Sequence, residues 1–519
     1  MIRTLYVTVF ALLLSLQTTV ASARKGVGCW RTQSAQCAAM SRLPLAGARS
    51  VEAGQFTNYR GQKKGLVILA EFADKKFKST NNWLKYNDIL NAPGYTSSEG
   101  FRGSVADYFR DQSAGLFELV FDVMGPYITE KNYKYYGQND EDGNDMHAEE
   151  MIAEVCRAAD ADVNFADYDW DGDGEVDEVF VLYAGKGEAD TDIPNYIWPH
   201  MWGLQEAGLP LTIDGVVINV YACANELTAS GKINGIGTFC HEFSHCLGFP
   251  DFYDINYDGL FGMGDFDLMS GGSYGGNGFC PVGYTAYEKM VCGWLSPVVL
   301  ADEDVAVDSL CPMSEHGNTY IIYNDATPDE YYMIENRQQT GWDEAYPAAG
   351  LMITHVDYDS EVWYNNIPNS ILTRREAWAM GLTCGNDHQR MTLFHADNDD
   401  DQKYWNASYG YHTKTTIDTD LYPYGKCDSL TAESKPAAIL FNNNSEGTKL
   451  MQGAILDIRQ NRNGTMSFRY RAKKPDDVAD HLQPLGYGLQ KPDIYDLQGR
   501  RVEEMRKGIY IVNGRKVVR

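Results

Sequence analysis

The stretch GTFCHEFSHCLGFPDFYD, residues 237–254, constrains the chain more than any other. His241 and His245 are four residues apart, so in a helix they lie one turn apart on the same side, and both imidazoles can reach one point. Gly248 tolerates the left-handed backbone that ends a helix, and Pro250 prevents the helix from continuing. The spacing therefore predicts a helix that stops near Gly248 and a chain that turns back, bringing Asp251 round to the histidines. Two imidazoles and a carboxylate at one point form a ligand set for zinc. Glu242, beside the first histidine, is placed to contact a zinc-bound water and to take its proton as the water attacks a carbonyl.

A second carboxylate competes for the third ligand position. GYTAYEKMVCGWL, residues 283–295, reads as helical, and Glu288 within it could reach the metal from a separate helix. The glycine-then-acid spacing directly after His245 favours Asp251, with Glu288 left open. Between them, GMGDFDLMSGGSYGG, residues 262–276, places Met269 in a glycine-rich turn, where it reads as a buried apolar residue. Tyr274 in the same turn is a candidate oxyanion donor.

A second constellation is acidic. DYDWDGDGEVDEV, residues 167–179, puts six acids between Asp167 and Asp177, a density that calls for a cation. A register starting at Asp169 gives Asp169, Asp171, Asp173 and Asp177 as oxygen ligands for calcium, Gly174 at the sharp turn and Val176 pointing inward. The register starting at Asp167 puts Glu178 at the twelfth position but Gly174 where an apolar residue is wanted, so the first is preferred. HADNDDDQK, residues 395–403, reads as a solvated acidic loop, with a second cation as the alternative. His200 and His355 read as packed, hydrogen-bonded histidines.

Charge and cysteine usage narrow the class. The 519 residues carry 44 Lys and Arg against 72 Asp and Glu, a net charge of −28 that repels a phosphate backbone and argues against nucleic acid as partner. Arg3 precedes an apolar run from Leu5 to Leu16 and then Ala21-Ser22-Ala23, which predicts a signal peptide over 1–23 and export. That run is short for a bilayer span of about 20 residues. No other stretch is long and apolar enough to span, so no transmembrane segment is expected in the mature chain. Export permits disulfides, yet eleven cysteines leave at least one thiol unpaired in a monomer.

Apolar runs alternating with helical patterns predict an α/β catalytic domain with a mixed sheet and an active-site helix over 63–299, after a leader or propeptide at 24–62. GLVILAEFAD, FELVFDVMGPY and EVFVLYAG read as strands; GSVADYFRDQSAG, with Ser104 as cap, and MHAEEMIAEVCRAADA read as helices. TYIIY, EYYMIEN, GLMITHVDY, RMTLFHAD, AILDIRQ and GTMSFRYRA predict a β-rich region over 300–472 that continues the same module. A linker at 473–490 leads to a segment, 491–519, able to form a strand pair. In the leader, Cys29 or Cys37 could keep the site silent by binding its metal, or the two could pair with each other.

HEFSHCLGFPDFYD with GDFDLMSGGSYGG, preceded by GLVILAEFAD, GSVADYF and YDWDGDGEVD, resembles the immune inhibitor A family of secreted bacterial zinc metallopeptidases. EYYMIENRQQTGWDEAYPAAGLMITHVDYD is similar to that family's region after the methionine turn, and Met269 resembles the methionine of metzincin-type sites. The resemblance implies a zincin-like fold and a zinc endopeptidase acting on proteins or peptides, with His241, His245 and Asp251 as ligands and Glu242 as general base. The ending RKGIYIVNGRKVVR is similar to C-terminal segments of exported Bacteroidetes proteins, which implies a sorting tail read by type IX-like secretion machinery. The rival function is a non-catalytic, calcium-dependent surface binding or adhesion protein on the same fold.

Overall fold

The computed structural model describes residues 59–140, 143–400 and 417–473, together with the backbone of five short strands at Trp405–Asn406, Tyr411–His412, Ile494–Asp496, Ile509–Val512 and Arg515–Val518. The signal peptide, Cys29, Cys37, nearly all of the leader and the linker beyond residue 473 lie outside the described residues. The chain divides between Ala472 and Lys473 into two units.

The first unit is built around a five-stranded sheet. β1 (Gly61–Glu71) pairs in parallel with β2 (Phe117–Ile128) and with β3 (Val179–Lys186), and β3 pairs in parallel with β5 (Val220–Leu227). β4 (His200–Gly203) adds to β5 antiparallel, so the sheet is mixed and runs β2-β1-β3-β5-β4. From Leu66 to Ala70 β1 is apolar without alternation because both of its faces are covered there. Val67 and Leu69 enter one core, and Leu66, Ile68 and Ala70 enter the other. Edge strand β2 alternates instead, with Phe117, Leu119, Phe121 and Val123 inward and Glu118 and Val120 exposed.

Helices cover both faces. α1 (Asn82–Asn91), which no regular apolar pattern marks in the sequence, packs on β2. α2 (Val105–Gln112) starts at Ser104, whose Oγ accepts from the Asp107 N–H at 3.1 Å, while Asp107 Oδ2 accepts from the Ser104 N–H at 2.9 Å. α3 (Ala148–Ala159) buries Met151, Ile152, Val155 and Cys156 on the opposite face. α4 (Gly237–Cys246) lies with α2, where Phe239 stacks on Phe180 at 3.7 Å and Phe243 packs against Phe109 and Phe121. Each such ring contributes about 1.5–3 kcal/mol on burial, and together they fix how α4 sits on the sheet.

Past residue 297 the chain is β-rich. Strands order as Met391–Leu393, Gly350–Asp357, Glu330–Arg337, Tyr320–Tyr323 and Val298–Val299 in one sheet, and as Ala454–Gln460, Met466–Arg471 and Val305–Leu310 in another. All six apolar runs singled out there form strands. One side of the first sheet joins the preceding region: Tyr331, Met333, Met352, Val356, Trp363 and Met391 belong to the same buried cluster as Phe243, Phe252 and Met269, while Tyr332, Ile334, Leu351 and Ile353 join Phe468 and Tyr470 in a separate cluster. Two short helices interrupt the strands, α6 (Ser360–Tyr364) and α7 (Arg374–Ala379), the former after the α5 helix (Ala286–Val291) of the preceding region. In the second unit three strands, not two, pair antiparallel in the order Ile494–Asp496, Ile509–Val512, Arg515–Val518.

Candidate metal centre

α4 carries His241 and His245 on one side and ends as the spacing requires. Gly248 has φ +94°, and its N–H donates to the His245 carbonyl at 2.8 Å. This turn aims the Phe249 carbonyl back at His245, which donates from Nδ1 at 2.7 Å. His241 donates from Nδ1 to the Leu268 carbonyl at 2.9 Å. With both Nδ1 atoms engaged, the Nε2 lone pairs face each other 3.1 Å apart. Asp251 Oδ1 lies 3.1 Å from His241 Nε2 and 3.4 Å from His245 Nε2, and it is buried with no hydrogen-bond donor.

These three acceptor atoms face one point with no donor among them. A proton can bridge only two, whereas one cation satisfies all three. Separations of 3.1–3.4 Å suit bonds of about 2.0–2.2 Å to a tetrahedral centre. All three side chains are fully or almost fully buried, so bulk water does not solvate them and an unpaired acceptor there is costly.

Glu242 is also fully buried, with neither carboxylate oxygen hydrogen-bonded. Burial pushes its carboxyl up to about 8; the neighbouring His241 opposes that shift and Asp251 adds to it. A cation held by His241 and His245 would draw the group back towards its ionised form.

Behind the site, the segment Asp267–Met269 supplies the Leu268 carbonyl to His241 and the Met269 carbonyl to the Phe252 N–H at 2.7 Å. Met269 is fully buried in the core there. The glycine-rich segment Gly271–Gly278 packs backbone to backbone on the start of α4. A Cβ on Gly237 would lie 1.9 Å from the Ser273 carbonyl oxygen. This approach brings partly buried Tyr274 close enough to Glu242 that burial, then Asp190, then Glu242 raise its hydroxyl pKa.

Glu288 is not among the side chains that converge on the histidines. Its carboxylate accepts from the Thr285 N–H at 2.6 Å and the Thr285 hydroxyl at 3.1 Å, and so caps its own helix α5. The sequence held that signal, since Thr285 and Glu288 stand in the Thr-x-x-Glu spacing of a capping box. Asn366 carried no such signal. It lies 115 residues from Asp251 in the chain, yet its Nδ2 donates to Asp251 Oδ2 at 2.8 Å and its Oδ1 accepts from the Asp251 N–H at 2.6 Å.

The acidic loop brings Asp169, Asp171 and Asp177 together within 4.8 Å, with Asp171 exposed and the other two partly so. Asp173 does not join them; its Oδ1 accepts from the Glu175 N–H at 2.9 Å. Asp167, the first residue of the other register, pairs with Lys64 at 3.1 Å and is not one of the three that gather. Glu178 is buried next to Asp177 with neither oxygen hydrogen-bonded. His395 pairs with Asp420 at 2.9 Å, and no three ligand atoms gather among the described residues of 395–403. His200 is held by the Trp198 carbonyl and the Tyr221 hydroxyl, and His355 by Glu330 at 2.9 Å, both away from the His241 cluster. The nine cysteines among the described residues are all free thiols, and no described helix is long and apolar enough to cross a membrane.

Comparison with known proteins meets this geometry. Over 234 residues the chain is 30% identical to the pre-pro-metalloprotease PrtV of Vibrio cholerae serotype O1, in strains M66-2 and El Tor Inaba N16961, covering 39% of this chain and 25% of that protein. Over 298 residues it is 25% identical to immune inhibitor A of Bacillus thuringiensis subsp. alesti, covering 46% of this chain and 41% of that one. The chain thus spans a quarter to about two fifths of the length of these relatives. The family model of the immune inhibitor A peptidase M6 catalytic domain matches residues 52–292, the segment that holds His241, Glu242, His245 and Asp251. Residues 52–292 are thus similar to the catalytic domain of the immune inhibitor A peptidases.

Proposed function

We propose that this chain is a secreted zinc-dependent endopeptidase of zincin-like architecture that hydrolyses peptide bonds in proteins. One observation carries the reading: two imidazole Nε2 atoms and the donorless Asp251 Oδ1 converge in a buried site beside an equally unpartnered Glu242. His241, His245 and Asp251 hold the metal, and their donor set of two nitrogens and one carboxylate suits zinc. Zinc, when bound, supplies the Lewis acidity that polarises a scissile carbonyl and lowers the pKa of the attacking water. Glu242 accepts the proton of that water on its carboxylate and returns it to the leaving amine, a role for which a buried carboxylate with no competing hydrogen bond is suited. Tyr274 donates its hydroxyl to the oxyanion that develops on the substrate.

The rest of the reading follows from the sequence and the family. Residues 1–23 direct export, 24–62 form a leader removed on maturation, and 491–519 act as a sorting tail. Asp169, Asp171 and Asp177 hold a structural calcium, with Asp173 contributing from its edge. The test is casein cleavage by the mature protein and by Glu242→Ala, each with and without a zinc chelator, followed by zinc re-addition. Cleavage by the wild type that the chelator stops and zinc restores, and that the variant lacks, is expected. Equal cleavage in every arm, or none in any, overturns the reading, and the latter outcome turns the chain into a binding protein.

A further inference from the structure

We propose that Asn366 is a positioning residue for the third metal ligand, so that the metal centre is completed by the β-rich region and not by the catalytic segment alone. The inference rests on the zinc reading above and goes beyond it, because Asn366 lies outside residues 52–292.

The contact is two-pronged. Asn366 Oδ1 takes the Asp251 N–H at 2.6 Å, and Asn366 Nδ2 gives a hydrogen to Asp251 Oδ2 at 2.8 Å. An N–H can only donate and a carboxylate oxygen can only accept, so a single orientation of the amide satisfies both. Occupying Oδ2 leaves Oδ1 as the oxygen turned to the two Nε2 atoms, at 3.1 and 3.4 Å. The amide thus selects which carboxylate oxygen faces the metal and fixes the carboxyl plane. A neutral donor does this without adding charge beside Asp251.

The clamp is anchored independently of what it holds. Asn366 has φ +57° and sits just past the end of α6, where its N–H donates to the Trp363 carbonyl at 3.1 Å and the Ile367 N–H donates to the Val362 carbonyl at 3.2 Å. That pair of bonds is a Schellman motif with asparagine at its left-handed position. Val362, Trp363 and Ile367 are buried in the core that also contains Phe252. The backbone at Asn366 is therefore set by its own helix end. Further along the strap, Asn369 Nδ2 donates to the Phe252 carbonyl at 2.8 Å, and Ser370 Oγ donates to Asp254 at 2.9 Å while accepting from the Ile255 N–H at 2.8 Å. These bonds hold the same loop without touching the ligand, which makes Ser370 the natural control.

The experiment measures zinc affinity by chelator competition, and the visible spectrum of the cobalt-substituted protein, for the full mature chain. Asn366→Gly keeps the left-handed backbone at no steric cost and loses only the amide. Asn366→Asp keeps the acceptor for the Asp251 N–H but sets a carboxylate against Oδ2. Both are expected to weaken zinc about 10- to 100-fold, the cost of losing an outer-shell partner, and to shift the cobalt bands. Ser370→Ala is expected to lower thermal stability while leaving zinc affinity and the cobalt bands at wild-type values. Wild-type affinity and spectrum in Asn366→Gly and Asn366→Asp overturn the proposal, as does an equal loss of zinc in Ser370→Ala. His241→Ala separates the two levels: if it binds zinc as the wild type does, the metal reading itself fails, whereas loss in His241→Ala with none in the Asn366 variants removes the positioning role alone.

Discussion

Among the described residues, two places bring three ligand-bearing side chains within 4.8 Å, and they are built in opposite ways. His241, His245 and Asp251 are buried, come from a helix and the loop after it, and are steadied by Leu268, Phe249 and the distant Asn366. Asp169, Asp171 and Asp177 come from one nine-residue loop and are exposed or partly so. The loop satisfies its own carboxylates: Asp169 accepts from the Gly172 and Gly174 N–H groups, Asp171 from that of Asp173 and Asp177 from that of Trp170. In the buried centre Asp251 Oδ1 has no donor at all. A buried acceptor without a partner costs on the order of 1–3 kcal/mol, so the first centre needs a cation to be whole. The second can stand on water and its own backbone. Loss of metal should therefore abolish chemistry at the first and only loosen local order at the second.

The comparison breaks most sharply at Glu242. Glu242→Gln keeps size and burial and removes the proton acceptor, so casein hydrolysis should fall by about 10²–10⁴-fold or more while zinc stays bound. Elemental analysis beside the activity assay checks both halves. Retained activity would detach the buried centre from chemistry and leave it no different in kind from the acidic loop. Next in size, Asp251→Ala removes the only oxygen of the trio. Zinc affinity should fall further than for any Asn366 variant, because a ligand is lost and not merely its orientation; chelator competition ranks them.

The same contrast explains what could be read from the sequence. His241, Glu242 and His245 were legible because an i, i+4 relation on a helix is local, and Asp251 because a glycine and a proline force the chain back within six residues of His245. The acidic loop was legible for the same reason, down to Gly174 with its φ of +89°. Legibility failed where the partner is remote. Nothing in NNIPNS marks Asn366 as the clamp on a residue 115 positions earlier, since asparagine at a helix end is ordinary turn chemistry. Spacing says least about Asp173, because an aspartate can turn its oxygen to its own loop as readily as to an ion. Strands such as β1 were legible from unbroken apolar runs, while α1, with little apolar periodicity, was not.

A smaller effect is expected from emptying the acidic loop. Calcium at about 100 times its dissociation constant would stabilise the fold by about 2.7 kcal/mol, seen as a rise in the thermal midpoint that a calcium-selective chelator reverses. Asp177→Asn should erase the rise and leave zinc content at the buried centre unchanged. A calcium response that persists in Asp177→Asn would place the ion elsewhere and end the pairing of the two sites.

Glu178 offers the finest test, because it lies where the exposed loop enters the core. Its carboxyl is buried and unpartnered, and burial, then the charge of Asp177, hold its pKa well above the ordinary 4.5. The unfolded chain therefore releases this proton at lower pH than the folded chain does. Between the two values the native state binds more protons, so calcium-free stability should fall as pH rises above 4.5. Glu178→Gln, which carries no charge to bury, should flatten that slope and gain on the order of 1–2 kcal/mol near neutral pH without calcium. With calcium present the order should narrow, because a cation beside Asp177 offsets the buried carboxylate in the wild type and has nothing to offset in the variant. Urea denaturation at pH 5 and pH 8, each with chelator and with calcium, reads all four arms. If calcium stabilises both proteins equally, Glu178 is only a buried acid behind the loop, and the exposed site is as self-contained as its backbone hydrogen bonds make it look.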